Sequence, residues 1–69
     1  MPEYFEYGGM QLTPAEAMNM IENARTYMGM AFALNMVVDI CGPYYSNMSS
    51  EELQEAYSVY GTDLFKRLG

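Results

Sequence analysis

Apolar and polar positions divide the chain into three segments. In the first segment, residues 3–12, Tyr4, Phe5 and Tyr7 have strand propensity, Gly8-Gly9 follows, and a second short apolar run comes after it. Because glycine takes positive φ freely, a Gly-Gly pair between two short apolar runs is typical of a two-residue β-hairpin turn. A flexible arm is the alternative, since a lone hairpin is marginal in water unless it lies on other elements.

The second segment has a strong helix start and a strong helix stop. Thr13 can cap the free N–H groups, Pro14 suits the first helical position, and Glu16 can complete a capping box. At the other end, Gly42-Pro43 cannot continue a helix. The pattern therefore predicts one helix of about 28 residues, roughly 42 Å long if unbroken. Gly29, near its middle, marks a candidate kink.

The two halves of this predicted helix differ in polarity. The first half has one polar side, formed by Glu16, Asn19, Glu22, Asn23 and Thr26. The second half is apolar around nearly its whole circumference, and only Asn35 and Asp39 interrupt it. A helix that is apolar all round is buried all round. We therefore expect the stretch from Tyr27 to Cys41 to need cover on every side.

The third segment predicts a second helix folded back on the first. Ser49 and Glu52 have capping-box spacing. One helical stripe follows, formed by Leu53, Ala56, Tyr57, Tyr60, Leu64 and Leu68. The stripe predicts a helix from about residue 50 to residue 68, bent or broken at Gly61-Thr62, and the short connection 42–48 returns it as a helical hairpin. The predicted fold class is mainly α, with residues 1–12 as an arm or hairpin and 13–69 as the helical domain.

This architecture predicts a dimer or a larger assembly. A helical hairpin covers about one face of the long helix, and exposed apolar patches usually mark interaction sites. A second copy of the chain is the simplest cover, because symmetric homo-oligomers are common. The expected oligomer interface uses Met28, Phe32, Leu34 and Met36. The alternatives are a different protein as the cover, or methionines that only fill an irregular core.

Charge excludes direct nucleic-acid binding and, together with hydropathy, a membrane span. Nine acidic and three basic side chains give a net charge of −6, whereas phosphate binding needs clustered Lys and Arg. The longest uncharged stretch, residues 26–38, has 13 residues, and a bilayer span needs about 20. The acidic N-terminus lacks the basic start of a secretory signal. With a single unpaired Cys, we expect a cytoplasmic protein with no membrane partner.

The chain lacks the residues of known catalytic and metal sites. It has no His, one Cys and no phosphate-binding glycine loop, so we predict no enzyme activity, no catalytic residues, no cofactor and no metal. Glu51, Glu52 and Glu55 could contact a hard cation, but calcium loops need alternating oxygen ligands and a turn glycine. A solvated helix start, favoured by the helix dipole, explains these three better. Cys41 is expected to be a small buried hydrophobe.

The acidic balance suggests a partner of opposite charge. An acidic protein can occupy a groove that serves nucleic acid on another protein, steered there by charge. Tyrosine adds polar-tipped aromatic surface, which is enriched at interfaces. The candidate partner-binding residues are Tyr4, Tyr7, Tyr44, Tyr45, Glu51, Glu52 and Glu55. The alternative explanation of the charge is that it keeps a small apolar protein in solution.

In size, acidity and lack of catalytic residues, the chain resembles small inhibitors of bacterial defence systems encoded by phages and mobile elements, such as anti-CRISPR proteins. No residue motif carries this resemblance. The leading hypothesis is an inhibitor that docks on a nucleic-acid-handling protein and blocks a site by occupancy. The alternative is a non-catalytic structural or assembly subunit that acts through its own helical oligomer. A third hypothesis is a subunit that stabilises a larger enzyme.

Overall fold

A computed structural model describes residues 2–68 of the chain. It opens with two short strands, β1 (Phe5–Tyr7) and β2 (Met10–Leu12). The helices that follow are α1 (Pro14–Met28), α2 (Met30–Cys41), α3 (Ser50–Tyr60) and α4 (Leu64–Leu68). Two 3-10 turns, Gly42–Tyr44 and Gly61–Asp63, follow α2 and α3. The protein is therefore mainly helical, as predicted, and the predicted break of the last helix at Gly61 is confirmed.

The N-terminal hairpin is also confirmed. The strands pair antiparallel, with Phe5 opposite Leu12 and Tyr7 opposite Met10, so Gly8-Gly9 forms the two-residue turn. The two glycines have φ of 56° and 80°, and positive φ at both positions is what a type I′ hairpin turn requires. Phe5 and Leu12 are buried and belong to the same core as the helices. The hairpin is therefore packed on the helices and is not a free arm.

Both predicted capping boxes are present. The side-chain oxygens of Thr13 and Ser49 accept hydrogen bonds from the N–H groups of Glu16 and Glu52. In return, each glutamate carboxylate accepts a 2.8 Å hydrogen bond from the backbone N–H of its capping residue. Each box satisfies two N–H groups that a helix start otherwise leaves without a partner. These boxes fix the starts of α1 and α3.

Gly29 breaks the predicted long helix into two. Its backbone has φ 98° and ψ 166°, a region that is essentially restricted to glycine. Its N–H still bonds to the carbonyl of Arg25, and its own carbonyl accepts from Ala33. Helix α1 therefore ends at Met28 and α2 begins at Met30. The sequence left open whether the helix over residues 14–41 breaks at Gly29, and the structure shows a full break, because the chain changes direction at a residue that has no Cβ to prevent it.

The break determines how α2 is covered. Helix α2 packs against α1, α3 and β1. Its buried residues are Ala33, Met36, Val37, Ile40 and Cys41. Phe32, Asn35 and Asp39 are exposed, so α2 is not buried all round as the sequence suggested. The radius of gyration is 10.7 Å, close to the value of about 11 Å expected for a compact chain of this length. A single copy thus builds a complete core.

Aromatic rings join the two ends of the described chain. Phe5 lies edge-on to Tyr44, with the ring centroids 5.1 Å apart, and its centroid is 4.8 Å from that of Phe65. Phe65 is buried although it lies outside the predicted apolar stripe. The whole core comprises Phe5, Leu12, Ala17, Met18, Ile21, Ala24, Ala33, Met36, Val37, Ile40, Cys41, Leu53, Tyr57, Leu64 and Phe65.

Replacing Gly29 with Ala should destabilise the fold. A Cβ at this φ is strained even though nothing lies within 4 Å of it, so we expect a loss of about 1–3 kcal/mol in the free energy of unfolding. Urea unfolding followed by circular dichroism measures this loss. Asn35→Ala is the control, because the same side chain at an exposed α2 position should be neutral or slightly stabilising. Equal stability of Gly29→Ala and the parent would contradict the role given to this backbone conformation.

Acid should weaken the capping boxes. The hydrogen bonds from Thr13 and Ser49, mainly from the backbone N–H, lower the pKa of Glu16 and Glu52 from 4.5. Because the folded pKa is lowered, their stabilisation is present above pH 4.5 and is lost as the pH falls through the folded pKa. The double variant Glu16→Gln/Glu52→Gln keeps the hydrogen bonds without titrating. Its melting temperature should fall less steeply on acidification than that of the parent protein, and parallel pH profiles would refute this account.

Candidate protein-binding surfaces

The first turns of α3 carry an exposed group of carboxylates. Glu51, Glu52 and Glu55 are all exposed, and Glu51 and Glu55 lie one helical turn apart on the same side. Glu52 also accepts the capping hydrogen bond from Ser49. Glu52 therefore stabilises the start of α3 and also adds to the exposed negative charge. A variant that removes its charge should be Glu52→Gln, which preserves the capping box.

Tyr44 joins the hairpin to the loop that precedes α3. Its hydroxyl oxygen accepts a 2.8 Å hydrogen bond from the backbone N–H of Glu6. Its ring packs on the buried Phe5, yet 39% of the residue remains accessible to solvent. Tyr44 is thus a fixed, partly exposed aromatic side chain, which is the arrangement that suits a binding contact.

The other predicted tyrosines differ in their exposure. Tyr4 is exposed, with 52% of its surface accessible, whereas Tyr7 and Tyr45 are half-buried against the core. The ring of Tyr45 stacks on Phe5 at 6.5 Å, and its hydroxyl oxygen is buried without a hydrogen-bond partner among residues 2–68. Burial and the neighbouring Cys41 raise the pKa of Tyr45. Tyr45 therefore anchors the loop from inside, while Tyr44 faces outward.

Charge is unevenly distributed over the surface. Among residues 2–68, two of the nine acidic residues form ion pairs: Glu22 with Arg25 at 3.0 Å and Asp63 with Lys66 at 3.8 Å. The third basic residue, Arg67, lies over the ring of Tyr60 at 5.2 Å. The remaining carboxylates are exposed and have no Lys or Arg nitrogen of residues 2–68 within 4.0 Å: Glu3, Glu6, Glu16, Asp39, Glu51, Glu52 and Glu55.

A second site, which sequence reasoning missed, lies between α1 and α3. Glu22 accepts hydrogen bonds from Arg25 on one carboxylate oxygen and from the Tyr57 hydroxyl on the other. Burial, followed by the hydrogen bond to Glu22, raises the pKa of Tyr57 to about 12. Glu22 and Tyr57 are 35 positions apart, and the sequence offers no signal that links them. They meet because α1 and α3 both pack on α2.

Both residues line a groove of about 310 Å³, the α1–α3 groove. Its lining includes Glu22, Arg25, Met30, Tyr57, Val59 and Tyr60. A neighbouring apolar groove of about 450 Å³ runs between α1 and α4, past Met18 and Phe65, and shares Glu22 and Thr62 with the first. The two therefore meet on one side of α1.

The residues predicted for an oligomer interface do not share one environment. Met28 and Phe32 are exposed, Leu34 is half-buried against the core, and Met36 is buried within it. Met36 is covered by its own chain because α2 packs on both α1 and α3. The structure does not bring the four together as one exposed face.

Three further observations concern metal ligands, the single thiol and membrane-spanning helices. Within residues 2–68, no three His, Cys, Asp or Glu side chains are grouped so that they could hold a metal ion. Cys41 is buried, and burial raises its pKa to about 12, so its thiol stays protonated at neutral pH. None of the helices in this part of the chain is both long and apolar enough to cross a membrane.

Comparison with protein-family models, curated proteins and solved structures finds no significant match to this chain. Any functional conclusion therefore depends on the surfaces described above.

The two adjacent loop tyrosines should respond oppositely to loss of their hydroxyl groups. Tyr45→Phe removes a buried oxygen that has no hydrogen-bond partner among residues 2–68 and should raise the free energy of unfolding by about 1 kcal/mol. Tyr44→Phe removes the acceptor of the Glu6 N–H and should lower it by about 0.5–1.5 kcal/mol. Each variant is the other's control in the same denaturation experiment. Destabilisation by Tyr45→Phe would show that its hydroxyl has a partner in solution.

Proposed function

We propose that this protein is a non-catalytic inhibitor that binds a basic surface of a nucleic-acid-handling protein and blocks that surface by occupancy. The observation that carries the proposal is the segregation of charge. Seven exposed carboxylates have no basic neighbour in the described chain, while all three cations contact other side chains of the same chain. The anionic surface is therefore left for another molecule to neutralise.

Nucleic-acid-binding surfaces supply the matching chemistry. They present clustered Lys and Arg to bind phosphates, and a set of surface carboxylates can approach the same cations. Electrostatic steering speeds such an encounter, and its range is limited to about 8 Å at physiological ionic strength. The attraction should therefore be strong in dilute buffer and weak in high salt.

Fixed aromatic contacts would add specificity to this attraction. Tyr44 is held by a hydrogen bond from Glu6 and by ring packing on Phe5, so little side-chain freedom is lost when a partner covers it. Tyr4 is exposed on the same hairpin. We place the contact surface at Tyr4, Tyr44, Glu51, Glu52 and Glu55, with the half-buried Tyr7 and Tyr45 supporting the tyrosines from within.

The biological setting follows from the same features. Small size, acidity and the lack of catalytic residues are the properties that suggest an anti-defence protein of phages or mobile elements. A target that handles nucleic acid would place the protein in the cytoplasm. Both statements belong to the proposal and depend on its test.

The test combines recovery of a partner with displacement of its nucleic acid. The immobilised protein is exposed to host lysate at low and at high ionic strength. Each lysate protein that it retains is then purified and bound to a labelled oligonucleotide. We expect a nucleic-acid-binding protein that is retained only at low ionic strength and releases its oligonucleotide when the chain is added. No such protein, or one that keeps its oligonucleotide, would overturn the proposal.

Two triple variants with the same change in net charge test which carboxylates contribute to partner binding. Glu51→Gln/Glu52→Gln/Glu55→Gln changes the net charge from −6 to about −3 while keeping the capping box. Glu16→Gln/Asp39→Asn/Asp63→Asn makes the same change in charge elsewhere. We expect the first triple variant to weaken partner binding roughly tenfold or more, as loss of steering does, and the second to weaken it clearly less. Equal effects would mean that net charge, rather than the start of α3, governs binding.

A further inference from the structure

We propose that the outer edge of β2 binds an extended, Lys- or Arg-containing segment of another protein as a third strand of the hairpin sheet. In strand addition, backbone hydrogen bonds supply affinity and side chains supply selectivity. The inference deepens the proposed function, since it rests on a basic partner, and it adds the form in which one segment of that partner binds. The edge of β2 is separate from the start of α3.

The register of the hairpin determines which of its backbone groups face outward. Tyr7 and Met10 flank the two-residue turn and form its hydrogen-bonded pair. Hydrogen-bonded and non-hydrogen-bonded pairs alternate along an antiparallel ladder, so Glu6 and Gln11 make no backbone hydrogen bond to each other. Their N–H and C=O groups therefore point away from the hairpin. The Tyr44 hydroxyl agrees with this direction on the β1 side, because it accepts from the Glu6 N–H.

The two edges of the hairpin differ in what covers them. The edge of β1 is closed by the hydrogen bond from Glu6 to Tyr44, and β1 packs on α2. On the other edge Gln11 is exposed, and its backbone N–H and C=O have no hydrogen-bond partner among residues 2–68. The sequence of β2 contains no charged residue and no proline, two devices by which edge strands avoid pairing. An added strand can therefore exchange two hydrogen bonds with Gln11.

A carboxylate lies in line with this edge. Thr13 continues the extended backbone beyond β2, with φ −66° and ψ 161°, and its N–H donates to the Glu16 carboxylate at 2.8 Å. Because Thr13 is two positions after Gln11, its N–H faces the same side, roughly 7 Å further along the strand. The Glu16 carboxylate is therefore placed next to the backbone groups that an added strand would use.

These charges select a basic segment as the occupant. Glu6 is exposed and lies opposite Gln11, so both side chains share the solvent face of the hairpin. Neither Glu6 nor Glu16 has a Lys or Arg nitrogen of residues 2–68 within 4.0 Å. A strand that pairs with Gln11 thus meets two carboxylates that its own Lys or Arg side chains can neutralise. An acidic segment, including the edge of a second copy with a net charge of −6, is repelled.

The experiment is a titration of the isotope-labelled full chain, followed by NMR at low ionic strength. The probe is an eight-residue peptide of alternating Lys and Thr with both ends blocked. We expect the Gln11 amide resonance to shift and its hydrogen exchange to slow as the peptide binds, because the added strand accepts its proton. A peptide of alternating Glu and Thr, equal in length, should leave this resonance unchanged.

Two substitutions at one position test the backbone contact. Gln11→Pro removes the outward N–H, which the hairpin does not use, and proline is tolerated on an edge strand when its nitrogen faces solvent. It should raise the dissociation constant of the Lys–Thr peptide roughly 3- to 10-fold, as loss of one backbone hydrogen bond does. Gln11→Thr keeps the N–H and should bind like the parent. Binding is followed at Leu12, and thermal unfolding verifies that each variant is folded.

Two substitutions with the same charge change test the electrostatic contact. Glu16→Gln and Glu52→Gln each remove one carboxylate and preserve a capping box. The first should weaken binding of the Lys–Thr peptide roughly two- to fivefold, as loss of an exposed ion pair does, and the second should leave it nearly unchanged.

Strand addition is overturned if the Gln11 amide does not respond to the peptide, or if Gln11→Pro and Gln11→Thr bind equally well. A peptide that shifts the start of α3 and is weakened by Glu52→Gln alone also overturns it, while leaving the proposed function intact. Failure of the proposed function shows separately, in the absence of a lysate protein whose oligonucleotide the chain displaces.

Discussion

The backbone conformation of Gly29 is the constraint on which the rest of the structure depends. An unbroken helix would carry the apolar residues of α2 away from α1 and leave them to a foreign surface. Because the chain turns at this residue, α1 and α3 both contact α2, and its large apolar side chains enter the chain's own core. Full burial of one such side chain contributes about 1.5–3 kcal/mol. That gain offsets the cost of an irregular backbone in a domain small enough to be marginal.

Because one copy of the chain buries its own core, its exposed side chains are not needed to complete that core. The surface then separates into two parts with different chemistry. The hairpin, the exposed side of α2 and the start of α3 carry carboxylates without cationic neighbours, whereas the grooves beside α1 carry Arg25 and Lys66 together with apolar side chains.

Local signals made much of the fold predictable. Both capping boxes, the Gly-Gly hairpin turn and the break at Gly61 depend on residues within a few positions of one another, and all are present. Gly29 is different, because glycine permits a helix as well as a break, and the packing of α2 decides between them. Phe65 enters the core beside Leu64 of the predicted stripe because its ring packs on Phe5 of the hairpin, a contact that no local signal indicates. The candidate surfaces were only partly predictable because they depend on packing between elements that are distant in sequence. Tyr44 and Tyr45 are neighbours in sequence, yet one is exposed and the other is half-buried. The Glu22–Tyr57 pair forms only once α1 and α3 have both packed on α2.

The contact between Phe5 and Phe65 bears on when the protein can fold during its synthesis. Phe65 is synthesised sixty residues after Phe5, so β1 has to wait for its last neighbour in the core. Until Phe65 leaves the ribosome, the hairpin and α2 hold an incomplete core whose apolar surface is exposed to solvent or to a chaperone. Closure of such a long-range contact is entropically costly and comes late. The core would thus close only in a late, cooperative step, after Phe65 has emerged.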